Sequence, residues 1–305
     1  MTVTDGETEV FTTKLAYYSG SRLPELIKQG YIFKGYQIGG TLYPAGTLYK
    51  IGGADVTAAA IFEEIKEVPV YDTDGFLATT LPKGFNGALP ALNRTGRIFF
   101  GYLIDGQLCP AGTVFDSTSG KTITAVFAKF GMINGASART DTPTGIRFQT
   151  YFDKSVYDIL TAAGYTVAFG TLIIPADFIT ENGAVNYNLL TLDTQLTTLN
   201  IASTKQFTVG NYMYYNAAVV NVKEGNYNRQ FLARGYMQIT KDGETTTYYA
   251  GVNDNARTIV EIAQKALADV FAVKTSLYQY AVEGGYSRYS TEQIETLEAI
   301  AAKAE

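Results

Sequence analysis

Residues 30–47 read GYIFKGYQIGGTLYPAGT and residues 96–113 read GRIFFGYLIDGQLCPAGT, so adding 66 to a residue number in the first stretch gives its partner in the second. Twelve of the eighteen positions are identical: Gly30/Gly96, Ile32/Ile98, Phe33/Phe99, Gly35/Gly101, Tyr36/Tyr102, Ile38/Ile104, Gly40/Gly106, Leu42/Leu108, Pro44/Pro110, Ala45/Ala111, Gly46/Gly112 and Thr47/Thr113. A duplication at fixed offset requires at least two copies of one small module, and tandem modules serve as spacers or binding units. Within a copy the pattern predicts a strand from Tyr31 to Ile38, a hairpin turn at Gly39-Gly40, a return through Leu42-Tyr43 and a second turn at Pro44-Ala45-Gly46. A last strand is expected in ADVTAAAIFEE. After Thr113 the offset falls to 65, since Ala60 aligns with Ala125; the missing residue belongs to the turn VFDSTSGKT, where a fold tolerates it.

Ahead of the first copy, residues 1–10 are polar and acidic and read as a frayed arm or short linker. VFTTKLAYYSG reads as a first strand closed by Ser19-Gly20, and RLPELIKQG as a short helical or extended crossover ending at Gly30. The second copy has a longer approach, EVPVYDTDGFLATTLPKGFNGALPALNRT. Asp72, Asp74 and Gly75 within it have the beginning of a calcium loop without its third carboxylate or closing Glu, so a turn between strands is the expectation.

The order strand, G-[YR]-I-F-x-G-Y, Gly-containing turn, L-x-P-A-G-T, closing strand resembles the internalin-type B repeat, or Listeria-Bacteroides repeat. Tyr36 and Tyr102 stand where that family usually has Trp, and Ala60-Ile61-Phe62 and Ala125-Val126-Phe127 match its A-x-[WF] close. The resemblance covers roughly residues 10–130. It implies small ubiquitin-like β-grasp modules on secreted or surface-attached bacterial proteins, usually in tandem, with no catalytic residues.

From Lys129 the composition changes and no further copy appears. DKSVYDILTAAG is expected as a short helix, and YTVAFGTLIIPADFI, IASTKQFTVG, YMYYNAAVVNVKEG and RQFLARGYMQITKDGETTTYYAGV as strands. Turns are read at Glu181-Asn182-Gly183, Glu224-Gly225-Asn226 and Lys241-Asp242-Gly243-Glu244. Many strands at short spacing predict a β-sandwich. TPTGIRF (residues 142–148) and FLARGY (residues 231–236) resemble a module that accompanies such repeats in surface proteins of gut Firmicutes. Near the end, DNARTIVEIAQKALADVFAV puts Ile259, Ile262, Ala263, Ala266, Leu267 and Val270 on one helical face with Asp254 or Asn255 as N-cap. SRYSTEQIETLEAIAAKA starts a second helix at Ser290 or Thr291, with Ile294, Leu297, Ile300 and Ala301 as its stripe. The fold class read here is mainly β, with β-grasp repeats over residues 1–65 and 66–130, a β-sandwich over 131–275 and a C-terminal helix in 276–305.

Composition removes several kinds of chemistry. With 46% hydrophobic and 17% charged residues the chain has material for packed cores. A net charge of -5 without a basic cluster gives no footprint for nucleic acid. No apolar run approaches a spanning helix, so no membrane insertion is expected. There is no His, and the single Cys109 reads as a small half-buried apolar residue, which leaves no Ser-His-Asp or Cys-His machinery. Neither catalytic residues, metal nor cofactor is assigned. Carboxylates are the remaining acids and bases, and Asp153, Asp158, Asp177, Glu181 and Asp193 are scattered among turns and strand ends, where solvated surface is the reading. Arg147 and Arg234, within apolar strands, are expected half-buried and paired to carboxylates.

Tyrosine carries the binding expectation. Tyr212, Tyr214, Tyr215, Tyr227, Tyr236, Tyr248 and Tyr249 offer amphipathic rings suited to sugars or protein partners, although alternation on strands turns half of such rings inward. The functional reading is a non-enzymatic surface or adhesion protein, repeats as stalk and sandwich as binding or assembly unit. Its partners would be a glycan or protein of a host or neighbouring cell, with oligomerisation open. MTVTDGETEV shows no export signal. The expectation is therefore a piece of a longer secreted protein or, alternatively, a phage virion component such as a head fibre, decoration or tail-associated protein bound to other virion proteins. A carbohydrate-active enzyme with paired carboxylates is the third reading.

Overall fold

Period-two apolar patterning and well-placed turn residues drive both copies into strands, and the chain is mainly β. The computed structural model describes residues 1–5, 8–12, 21–50, 56–65, 67–181, 183–251, 254–276 and 289–304. The chain divides into two compact units, Met1–Asn93 with Phe99–Phe127, and Arg94–Ile98 with Ala128–Glu305.

In the first unit each copy has its own five-stranded sheet. The spatial order is Thr8–Thr12, Thr2–Asp5, Thr57–Glu64, Tyr31–Ile38, Thr41–Tyr43 in the first and Leu77–Leu81, Val68–Asp72, Ile123–Ala128, Ile98–Ile104, Gln107–Cys109 in the second. In both, the strand that comes first in the chain runs parallel to the one that comes last, Val3 facing Ala58 and Asp72 facing Ala125. Residues 1–5 are therefore an interior strand, which corrects the reading of residues 1–10 as a loose arm. Met1 and Val3 lie in a core with Leu23, Tyr36 and Ala58. One inward apolar residue, Val3, suffices because the backbone is paired on both sides. The part of VFTTKLAYYSG over residues 13–20 lies outside the described residues.

The hairpin turns fall at Gly39-Gly40 (φ 57° and 83°) and Asp105-Gly106 (φ 47° and 82°), both of the doubly left-handed kind that matches strand twist. The crossover contains no helix, as a proline at position 24 or 90 disfavours the helical conformation for the residue before it. Leu23 N–H donates to Thr47 O at 2.9 Å and Gly46 N–H to Leu23 O at 2.7 Å; Leu89, Thr113 and Gly112 repeat both bonds at the same lengths. The duplication thus reaches back to Leu23-Pro24 and Leu89-Pro90, beyond the eighteen residues in which it was most visible. Asp72 closes its turn by accepting the Asp74 and Phe76 N–H groups on Oδ1 at 3.0 and 2.9 Å, as expected of a turn residue.

The second unit holds two further sheets. Phe130–Met132 and Ser137–Arg139 flank Gly145–Asp153, followed by Tyr212–Val220 and the edge strand Gln206–Val209. The other sheet runs Leu199–Ala202, Thr166–Pro175, Phe231–Lys241, Glu244–Tyr249. Phe169 of the second sheet meets Phe152 and Tyr215 of the first, ring centroids 5.9 and 5.1 Å apart. TVAFGTLIIP is a near-continuous apolar run because that sheet is covered on both sides. Leu172, Ile174, Leu232 and Tyr236 pack beneath Ile179 and Leu190 of the following segment.

Among the described residues three α-helices complete the unit. Helix α1 (Lys154–Ala162) ends with Tyr165 N–H donating to Leu160 O and Gly164 N–H to Thr161 O, a Schellman closure. Helix α2 (Ile259–Ser276) is capped by Thr258, correcting the assignment to Asp254 or Asn255. Thr258 Oγ1 accepts Glu261 N–H at 2.9 Å and Glu261 Oε2 accepts Thr258 N–H at 2.7 Å. Asn255 is committed elsewhere, its amide bonding both backbone groups of Ala233. Helix α3 (Thr291–Ala301) begins at the Ser290–Gln293 capping box and packs on α2, with Leu297 and Ile300 buried. Among the described residues no helix is long and apolar enough to cross a membrane.

Candidate binding face

Strand register builds one aromatic row. Along Gly145–Asp153 the side chains of Ile146, Phe148, Thr150 and Phe152 are buried, while Arg147, Gln149 and Tyr151 alternate with them and are half-buried. Tyr151 stands opposite Tyr214, and Tyr214 opposite Phe207 on the edge strand. Gly131 lies on the far side of Tyr151, where a side chain would collide with the ring. The ring centroids of Tyr151 and Tyr214 are 6.3 Å apart, and those of Tyr214 and Phe207 5.6 Å apart with planes 19° from parallel. Tyr212 joins the group, 5.4 Å from Tyr151 and edge-on at 79°.

Polar groups border the rings. Gln149 Nε2 donates to Asn216 Oδ1 at 3.1 Å in the neighbouring cross-strand pair. Lys129 Nζ donates to Tyr212 Oη at 3.2 Å. Burial, reinforced by Tyr212 nearby, pushes the Tyr151 hydroxyl above the ordinary tyrosine value, so it stays uncharged at neutral pH. Asp153, at the end of the same strand, turns its Oδ2 to the Lys129 N–H at 2.6 Å. Phe207 is 43% exposed and Val209 60% exposed.

Of the seven tyrosines singled out by sequence, the row takes Tyr214, with Tyr212 beside it. Tyr215 is 2% exposed and donates to the Gly170 and Tyr236 carbonyls between the sheets. Tyr236 is 6% exposed and donates to Asn200 Oδ1. Neither presents a surface, because period-two alternation turns Tyr215 inward and Tyr236 lies on a sheet covered on both faces. Tyr249 accepts Leu192 N–H on its hydroxyl, Tyr248 is half-buried on the other face of that strand, and the Tyr227 carbonyl receives the Ile259 N–H at the start of α2. Tyr151 and Phe207 were missed. Their signals are the alternation Arg147, Gln149, Tyr151 and the opposed aromatics of QFTV and YMYYN.

The remaining candidates are engaged elsewhere. Asp158 pairs with Lys154 at 2.6 Å. Asp177 is gripped by Arg229 at 2.9 and 2.7 Å, which holds its carboxyl below the usual range, while Glu181 and Asp193 are exposed. Arg147 and Arg234 are half-buried as expected, but among the described residues neither has a carboxylate partner, contrary to the expected pairing. Arg234 instead donates to the carbonyls of Tyr187 and Leu190 and lies 4.6 Å over the Tyr249 ring. Cys109 is half-buried with a free thiol. Among the described residues no group of acidic or sulfur side chains is arranged to hold a metal.

No family model matches the chain, and no curated protein matches it.

Proposed function

We propose that the chain is a non-enzymatic binding protein of the bacterial surface-adhesion type, with two β-grasp modules as its spacer and a β-sandwich after residue 128 as its attachment unit. The β-grasp reading is supported by the shared strand order of the two copies, two hairpins with the last strand inserted between them and parallel to the first. The sandwich reading is supported by Phe169 and Tyr215 meeting between two sheets. The resemblance of the repeats to internalin-type B repeats supports a role outside the cell, on a host or neighbouring-cell surface.

The observation that carries the binding role is the row Tyr151, Tyr214 and Phe207. A sheet serving only as scaffold has no need of three registered aromatic rings running out to its open edge, where apolar exposure invites association. Amphipathic Tyr rings combine contact area with little ordering entropy on binding. The test is attachment of the labelled full chain to mucin-coated plates, cultured epithelial cells and whole bacteria. Saturable retention on at least one of these surfaces is expected, and absence of retention on all of them overturns the reading.

A further inference from the structure

The edge strand Gln206–Val209 is open to a second pairing. All four of its residues are exposed, Phe207 by 43% and Val209 by 60%, and its ladder to Tyr212–Val220 runs without a bulge. From Gln206 to Asn211 the sequence has neither a charged residue nor a proline, the common guards of an open edge. Elsewhere in the unit the edges differ. Ser137–Arg139 ends on an arginine, Glu244–Tyr249 begins on a glutamate, and Phe130–Met132 is buried. In Leu199–Ala202 the Oδ1 of Asn200 already accepts the Tyr236 hydroxyl.

Strand register selects the occupant. The two-residue turn Gly210-Asn211 leaves Val209 and Tyr212 as a hydrogen-bonded pair and, by alternation, Phe207 and Tyr214 as the next. Thr208, between them, turns its N–H and C=O to the open side. An antiparallel strand arriving there is best supplied by the same sequence. With a two-fold axis through Thr208 and perpendicular to the sheet, the two copies of Thr208 exchange both hydrogen bonds. Each Phe207 then stands opposite Val209 of the partner subunit, an aromatic and β-branched pair at the closer, non-hydrogen-bonded spacing. The axis keeps Phe207 on the side of Tyr214, so the row Tyr151, Tyr214, Phe207 continues into the partner's Val209. Within the paired strands no charge meets its own kind, although the chain has a net charge of -5. A two-fold contact also occupies both edges and closes. We infer that Gln206–Val209 is a self-association edge that joins two copies of this chain, antiparallel about Thr208, into one continuous sheet. Four residues cover less than the roughly 800 Å² per partner of a standard interface, so the dimer is weak.

The experiment is sedimentation of the full chain from low micromolar to submillimolar concentration, where a monomer is expected to pass to a dimer and no further. Thr208→Pro removes the outward N–H, and Val209→Lys sets a charge opposite Phe207. Each should weaken association about tenfold or more, since a two-fold contact loses the group twice. Both leave the ladder to Tyr212–Val220 in place, so each monomer should melt within a few degrees of the wild type. Val209→Lys carries the test alone if the proline disturbs its strand. Thr208→Cys in a Cys109→Ser background should be trapped as a disulfide-linked dimer, because Cα atoms across a hydrogen-bonded pair lie about 5.5 Å apart, within disulfide reach. A chain that stays monomeric throughout overturns the inference and leaves the edge to a strand of another protein. Assembly beyond a dimer overturns it too, as does a dimer that folded Val209→Lys retains in full or one that Thr208→Cys fails to trap. The inference goes beyond the adhesion reading, and with no surface present in the cell either can fail alone.

Discussion

Tyr36 and Tyr102, 66 residues apart in sequence, are seated identically: each hydroxyl donates at 2.8 Å to a proline carbonyl, Pro24 or Pro90. Each ring also meets Phe33 or Phe99 edge-on at 77°. Replacing either tyrosine by phenylalanine keeps the ring and orphans a carbonyl, at an expected cost of about 1 kcal/mol. Tyr36→Ala or Tyr102→Ala leaves a cavity as well and should cost about 3–5 kcal/mol. Urea unfolding of the four variants measures this. Because the two rings sit in separate cores, the phenylalanine variants should add. A silent substitution in one copy would show that its tyrosine is not seated as described.

The same two hydroxyls set an alkaline limit. Burial pushes both up to about 12, against roughly 10 for an unfolded tyrosine. A raised value means that the folded chain holds the proton more tightly, so the associated stability is fully present below about pH 10 and is lost as pH rises through about 12. Tyr151, Tyr187, Tyr215 and Tyr248 are shifted in the same direction by burial. The denaturation midpoint is expected to be insensitive to these groups near neutrality and to fall steeply above about pH 10. Tyrosinate absorbance should lag behind that of a denatured control. In the double variant Tyr36→Phe, Tyr102→Phe the alkaline fall should be shallower, and an unchanged slope would assign it to other groups.

Local signals were the legible ones. Gly39-Gly40, Asp242-Gly243 and the Ser290–Gln293 box each specify their conformation within four residues, and the turns and the cap stand where the sequence puts them. The strand Thr2–Asp5 was hidden because its second partner, Thr57–Glu64, lies more than fifty residues away and Val3 alone marks its inner side. Among the tyrosines, alternation separates Tyr214 from Tyr215, yet it cannot say which side faces a second sheet. Tyr236 shows the difficulty most clearly: it lies on the outer side of its sheet and is still buried, because Ile179 and Leu190 fold back over it. Tyr151 entered the row only through strand register, which pairs residues about 60 positions apart.

Gly35 and Gly101 separate two ways in which a glycine is required. Their φ values are 136° and 123°, and a side chain at either would strike the carbonyl of the facing strand, Tyr43 or Cys109. Gly39 also has positive φ, 57°, but opens onto empty space. Gly39→Ala should therefore cost about 1 kcal/mol, the conformational penalty alone. Gly35→Ala and Gly101→Ala add a backbone collision and should lower stability by well over 3 kcal/mol. Thermal melts of the three variants give the comparison; equal losses would mean that the strands at Gly35 and Gly101 separate without resistance.

Arg234 provides the last test, because its charge is half-buried and, among the described residues, has no ion pair. Nη1 donates to the carbonyls of Tyr187 at 2.9 Å and Leu190 at 3.2 Å, while Nε is buried with no partner. Burial accordingly lowers the guanidinium below its ordinary value, with the Tyr249 ring as partial compensation. An apolar side chain of similar volume removes the cost of burying charge, which often makes such replacements neutral for the whole fold. It also removes the donor that pins the segment around Tyr187 and Leu190. Arg234→Met is therefore expected to change the melting temperature by only a few degrees. Amide exchange over residues 187–192 should rise about tenfold, corresponding to roughly 1.4 kcal/mol of easier local opening. Arg234→Lys, which keeps a charge but loses the planar fork, should fall between the two. A large global loss with unchanged exchange in that segment would show that Arg234 supports the sheet rather than the segment folded over it.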